Sequence, residues 1–265
     1  MTTAGRPVAE PRRPRPMTLW RLEVLRTLRT HRWMLVVGVY AFFGVTGPLL
    51  ARYLEEIISN FGGSEVAVTA GDPRPVDGIM QFVSNGGQIG LLAVIVLSAS
   101  ALALDAHREF AAFLRTKVAR VGTLLVPRYV VATVTSVAAL WVGTGLAWAM
   151  TVPLLGGLPV GAMVLGTLLG SLYLAFAVGV VAAMAGFVRS IAGTVFASLA
   201  VLLVLPIVSL VPAVSRWLPS ELLAAIGDLL EGAPASDYIG SAVVTVLLTV
   251  LLVRVAAWRA EHREQ

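Results

Sequence analysis

YVVATVTSVAALWVGTGLAWAMTVPLLGGLPVGAMVLGTLLGSLYLAFAVGVVAAMAGFV, from Tyr129 to Val188, runs for 60 residues without one charged side chain. A water-soluble fold must clothe its core with polar groups and does not carry so long an uncharged run. A bilayer demands one, because roughly 20 apolar helical residues cross a hydrocarbon core of about 30 Å. The run is too long for a single crossing. Pro153–Val160 within it reads PLLGGLPV, and Gly and Pro punctuate helices. The segment therefore predicts two spans, 129–152 and 161–188, joined by a short turn.

The rest of the chain reads the same way. Trp33–Leu50 is uncharged, and so is Gly78–Leu104, whose apolar part begins at Ile89. Ser190–Val211 and Tyr238–Trp258 complete the set, with Arg254 one turn from the end of the last, where it snorkels to the interface. Spans are expected at 33–50, 89–104, 129–152, 161–188, 190–211 and 238–258. Across all 265 residues 57% are apolar and 13% charged, against roughly 25% charged in soluble proteins. The polarity does not alternate as in a membrane β-barrel. The expected fold is all-α: a polytopic membrane protein with six transmembrane helices.

Lys and Arg accumulate in cytoplasmic loops, and that bias sets orientation. With the N-terminus inside, 17 of the 20 basic residues are cytoplasmic, and only Arg52, Arg74 and Arg216 fall outside. Of the 15 acids, 9 lie outside. Both termini are thus expected in the cytoplasm. The basic leader before the first span is long and no small-x-small site follows promptly, which argues against a cleaved signal peptide. The positions of the charges explain the net +5 by topology, without a nucleic-acid partner.

Residues 1–16 (MTTAGRPVAEPRRPRP) read as a disordered basic tail, with attraction to anionic membrane lipid as its functional reading and topology-setting charge as its plainer one. In 17–32, Leu19, Leu22, Leu25 and Leu28 recur at helical spacing, with Arg21, Glu23, Arg26 and Arg29 around them. This predicts an amphipathic helix in the inner interface, anchored by Trp20. Loop 51–77 is an acidic external excursion, and Asp77–Gln88 (DGIMQFVSNGGQ) reads as a dip before the second span. The inner loop 105–128 carries Phe110, Phe113, Leu114, Val118 and Val121 on one helical stripe. Beyond Val211, Ser220 as N-cap, Glu221 in the first turn and Gly232 as a stop frame a short helix with Leu222, Ile226, Leu229 and Leu230 on one side. It lies at the outer interface or re-enters the protein. Residues 259–265 form a cytoplasmic tail.

Several chemistries are missing. There is no cysteine, hence no disulfide or thiolate metal site. Lys117, the sole lysine, stands in RTKVAR, so no P-loop exists to cradle phosphates. His31, His107 and His262 lie in the flanks and are not at ligand spacing, so no metal site is expected. Glu55-Glu56 reads as a solvated pair. The first five spans hold no ionisable residue, so the usual relay of an ion-driven transporter is absent. An enzyme is not expected. Ala162, Gly166 and Gly170, and again Ala182 and Gly186, form small-xxx-small faces for close helix packing, within the bundle or between subunits.

This layout resembles the permease subunits of type-2 ATP-binding-cassette (ABC) exporters, nearest the branch that includes permeases of multicopper-enzyme maturation. The resemblance covers about residues 17–258. Its local match is Glu109, Leu114, Thr116, Lys117, Arg120, Arg128 and Tyr129, where members show Glu, Leu, a Lys-Pro-Val-Ser-Arg-like turn, a base and an aromatic. The family's Gly-Thr after the glutamate is Ala111-Ala112 here, and Val118 and Ala119 stand around the place of its Pro and Ser. The resemblance implies an export permease with no cofactor of its own, driven by ATP and Mg in a separate cytoplasmic ABC ATPase. It implies pairing with a second copy or a sister permease in a bacterial cytoplasmic membrane. It makes 105–120 a coupling helix, with Arg108, Glu109, Phe110, Phe113, Leu114, Arg115, Lys117 and Arg120 at the ATPase and Arg189 as a smaller contact. Spans two and five then line the path, with Ser98, Ser100, Pro206 and Ser209 as candidate substrate-path residues. A secondary transporter or channel, and a non-transporting membrane anchor or assembly subunit, are the alternatives.

Overall fold

The computed structural model describes residues 16–61, 73–103 and 122–262. It is all-helical over those residues, with six helices long and apolar enough to cross a membrane. In chain order the helices begin with α1 (Pro16–Arg29), α2 (Arg32–Phe61), α3 (Pro75–Asn85), α4 (Leu91–Leu102), α5 (Gly122–Leu155), α6 (Val160–Phe187) and α7 (Ile191–Val208). The short α8 (Pro212–Ser215), α9 (Glu221–Leu230) and α10 (Ile239–His262) follow. The crossings are α2, α3 with α4, α5, α6, α7 and α10.

α1 carries its apolar side open, with Leu22, Leu25 and Leu28 exposed, as a helix lying on a membrane surface requires. It meets the first crossing at His31, whose φ of 54° is left-handed and turns the chain between the two helices. The stretch Asp77–Gln88, read from sequence as a dip, is helical. Pro75 takes the first position of α3, and Asp77 accepts a 2.7 Å hydrogen bond from the Arg74 amide. A π-turn at Gly86–Gly90 then joins α3 to α4, so the second crossing begins at Pro75 and not at Ile89. The turn's glycines have a steric reason: a Cβ on Gly90 would stand 2.7 Å from the Tyr40 ring.

The 60-residue uncharged run divides where its Gly-Pro cluster stands: α5 ends at Leu155, Gly156 takes φ 118°, and Val160 starts α6. α6 is the hub, with 67% of its spanning window buried against 17% for α7 and α10. Its small residues explain this. Gly166 lies under the backbone of Ile226 in α9, and Gly170 under the Ile226 side chain. Gly179 and Gly186 receive Leu252 and Arg259 of α10. The small-xxx-small faces therefore serve packing inside the bundle. A second close crossing joins α2 to α5, where Gly44 meets the Gly143 carbonyl and Gly143 meets Tyr40.

An even number of crossings returns α1 and the end of α10 to one side. That side, with α1, the end of α4, the start of α5 and the α6–α7 turn, is called here the basic face.

Candidate functional site

Glu23 is the only acid between Glu10 and Glu55. In the structure its carboxylate meets the Arg128 guanidinium, with Nε donating to Oε1 at 2.8 Å. Arg128 stands near the start of α5 and its side chain is only 5% exposed. A guanidinium stays charged when buried, so it needs an anion. It also donates through Nη1 to the Ala101 carbonyl at 3.3 Å, one of the acceptors that the end of α4 leaves without an intrahelical donor. Arg26 flanks the pair 3.7 Å from the other Glu23 oxygen. One side chain thus binds the surface helix, the end of the second crossing and the start of the third.

Two small hollows border this junction. One, of about 60 Å³, is lined by Glu23, Arg26, Thr30, Leu97 and Ser100 among others. The other, of about 280 Å³, is bounded by Leu19, Leu22, Leu124, Pro127 and Arg128 together with Glu23 and Arg26. The chain departs toward 104–121 just beyond Ala101 and returns at Gly122, so both roots of that segment lie at the junction. Arg108, Glu109, Phe110, Phe113, Leu114, Arg115, Lys117 and Arg120 lie outside the described residues, as do the tail 1–15 and the middle of the loop 51–77. Arg189 is exposed in the extended link between α6 and α7, beside Ser190, whose Oγ caps α7 by accepting from the Gly193 amide at 3.1 Å.

The four candidate path residues are not gathered in one place. Ser98 is fully buried and its hydroxyl has no hydrogen-bond partner. Ser100 donates to the Leu97 carbonyl at 2.7 Å and lines the smaller hollow at the basic face. Pro206 and Ser209 sit at the far end of α7, with Ser209 donating to the Pro206 carbonyl at 2.8 Å. The start of α7 and Ser209 are separated by about 27 Å at helical rise.

On the opposite face, α9 is tied down at several points. Tyr238 donates to Asp228 at 2.9 Å, and Arg74 reaches Glu231 at 3.5 Å while holding Asp77 at 3.1 Å. Of the two expected settings for this helix, the structure has it packed into the bundle against α6 and α3. Ser220, expected as its N-cap, makes no capping bond and has helical φ and ψ. Gly232 does stop the helix, at φ 98°. Burial raises the Glu221 carboxyl above its ordinary range, and Asp228 adds to the effect. Among the described residues no cluster of His, Asp or Glu is set to hold a metal ion.

The sequence reading placed Glu23 on the wheel of α1 and Arg128 in the inner loop, but did not pair them. The available signal was a lone acid in a basic amphipathic helix. A solitary anion there either weakens attraction to anionic lipid or answers a particular cation. The fold defines a multi-pass α-helical membrane protein, with the buried ion pair of Glu23 and Arg128 on the face that carries α1. Compared with known proteins, the chain matches no family model and no curated relative.

Proposed function

We propose that this chain is the membrane-spanning permease subunit of an ABC exporter, forming the path for an amphiphilic substrate and driven by a separate cytoplasmic ATPase that holds ATP and Mg. The observation that carries the reading is the junction of Glu23, Arg128 and Ala101 at both roots of segment 104–121. A push on that segment is delivered at once to the surface helix and to the second and third crossings. The apolar and basic pattern of Phe110, Phe113, Leu114, Arg115, Lys117 and Arg120 suits a groove with acidic margins on the ATPase. Arg189 adds a smaller contact at the same face. α7 and α10 leave most of their apolar surface uncovered, for membrane lipid or for a second copy or sister permease. The basic face is then the cytoplasmic side of a bacterial cell membrane.

The test is reconstitution in liposomes with and without the cytoplasmic ABC ATPase that the reading requires. Phe113→Asp and Arg120→Glu should leave the permease folded while abolishing substrate-stimulated ATP hydrolysis and ATPase binding. Unchanged coupling in both variants would remove 105–120 from that role. Transport without any ATPase would make the chain a secondary transporter or channel. Copurification with a partner but no substrate-stimulated turnover would make it an anchor or assembly subunit.

A further inference from the structure

The chain has five amide side chains, and three of them, Gln81, Asn85 and Gln88, fall within eight residues of the second crossing. That crossing runs from Pro75 to Leu102, 28 residues. At helical rise it is about 42 Å long, so a centred hydrocarbon core of about 30 Å leaves about 6 Å at each end. Gln81 then lies about 3 Å inside the apolar layer, Ser84 about 8 Å and Gln88 about 14 Å, close to the mid-plane. Packing gives the same depth by a second route. Phe82 lies against Gly47 and Gly90 against Tyr40, both well within the first crossing, Arg32–Leu54.

Gln81, Ser84 and Gln88 are exposed on the outside of the bundle, and the same open side continues through Leu92 and Val96. The other side of this helix is turned inward, with Gly87 under Leu223 and Gly90 under the Tyr40 ring. Polar groups elsewhere in the spans look after themselves. Thr135, Ser171 and Thr249 each return their hydroxyl to the carbonyl four residues back, at 2.8, 2.6 and 2.6 Å. The side chains of Gln81, Ser84 and Gln88 make no hydrogen bond among the described residues. A carboxamide offers two donors and an acceptor, and leaving them bare in hydrocarbon costs several kcal/mol. At the depth of Gln88 the side chain is too short to reach either interface.

The chemistry of the stripe selects its occupant. Lipid tails offer no hydrogen bond. Water answers the stripe only where some wall shuts out lipid, and that wall is again protein. A carboxamide is donor and acceptor at once, so it is complementary to its own copy. A two-fold contact sets each patch against the same patch of its partner, and Gln and Ser bond across membrane helices in this way. We propose that a second copy of this chain docks on the second crossing, about a two-fold axis along the membrane normal. Gln81, Ser84 and Gln88 bond across that axis, and Leu92 and Val96 pack beside it. α7 and α10 are left to lipid. The pairing does not rest on the ATPase reading: it is assayed without an ATPase, and a failure of coupling leaves it standing.

The purified full chain in liposomes of phosphatidylethanolamine and phosphatidylglycerol tests the proposal. The chain has no cysteine, so any one introduced cross-links without background. Under copper phenanthroline, Ser84→Cys and Gln88→Cys should give disulfide-linked dimers whose yield holds as the protein is diluted in lipid. Phe196→Cys and Leu247→Cys, exposed on α7 and α10, should cross-link only by collision, with a yield that falls on dilution. Single-molecule photobleaching of the labelled chain then reads the dimer directly. Gln88→Leu should raise its dissociation constant about tenfold, the factor for two symmetry-related hydrogen bonds between membrane helices. Melting temperature and monodispersity report folding, and should Gln88→Leu not fold, the cross-links decide alone. Cross-linking of Gln88→Cys that falls on dilution overturns the proposal. So does dilution-resistant cross-linking at Phe196→Cys or Leu247→Cys in its place, or a dissociation constant unaltered in folded Gln88→Leu. Alkylation of Gln88→Cys by an impermeant maleimide with no cross-link makes the stripe a water-lined surface and overturns it too.

Discussion

Arg128 shows how one side chain sets the economy of a whole face. Its charge is buried, its partner Glu23 is only 14% exposed, and each is held by the other. Removing one member of a buried pair leaves an uncompensated charge and typically costs about 3–5 kcal/mol, whereas replacing both by apolar groups is far milder. Glu23→Ala should therefore lower thermal stability sharply in detergent, and Glu23→Leu with Arg128→Met should restore most of it. A double-mutant cycle on the melts reads the coupling. Additive losses from the two single changes would mean that the pair is not a unit. In the exporter reading, the restored double variant should still couple poorly, because the tie between α1, α4 and α5 is gone.

At the scale of elements, glycines decide which helices approach and which do not. Gly44 sits against the Gly143 carbonyl, while Gly38, two turns earlier on α2, has open space where a Cβ would go. Gly44→Ala should destabilise by about 1–3 kcal/mol through overpacking against rigid backbone. Gly38→Ala should be neutral or gain up to about 1 kcal/mol from helix propensity. Denaturation of the two variants side by side checks the contrast, and equal effects would contradict the crossing. α9 gives a pH-dependent case. Burial, aided by Asp228, raises the Glu221 carboxyl, so folding favours its neutral form. A raised carboxyl takes up a proton on folding, so its share of stability is present at acid pH and is lost as pH rises from the ordinary carboxylate range through the raised value. Hydrogen exchange over Glu221–Leu230 should be slower at acid pH than its chemical rate accounts for, and Glu221→Gln should remove the pH dependence. Greater protection of the native helix at higher pH would reverse the sign and refute the assignment.

The molecule as a whole is a bundle organised around α6, with α7 and α10 as its least covered members. Its topology is open to a direct check, because the chain has no cysteine and any one introduced is a unique reporter. Cysteines at Thr2 and Ala112 should react with a membrane-impermeant maleimide from one side, and those at Gly157 and Gly232 from the other. Ala112 labelled together with Gly157 would undo the order of crossings and, with it, the exporter reading.

Hydropathy and charge by themselves determined the class of fold, the number of crossings and the break between α5 and α6. The reason is that a bilayer imposes one rule on every residue of a span, and that rule needs no knowledge of neighbours. The helix at Glu221–Leu230 was legible for the same kind of reason, since its apolar stripe and its Gly232 stop are local. Pairing is not local. Glu23 and Arg128 stand 105 positions apart, and nothing within either segment states that α1 folds back over the start of α5. The helical reach of the second crossing to Pro75 and the choice of α9 as partner for Gly166 were likewise decided only when helices packed. Each depends on which faces of distant segments come within a few ångströms, and van der Waals contact acts over no longer range.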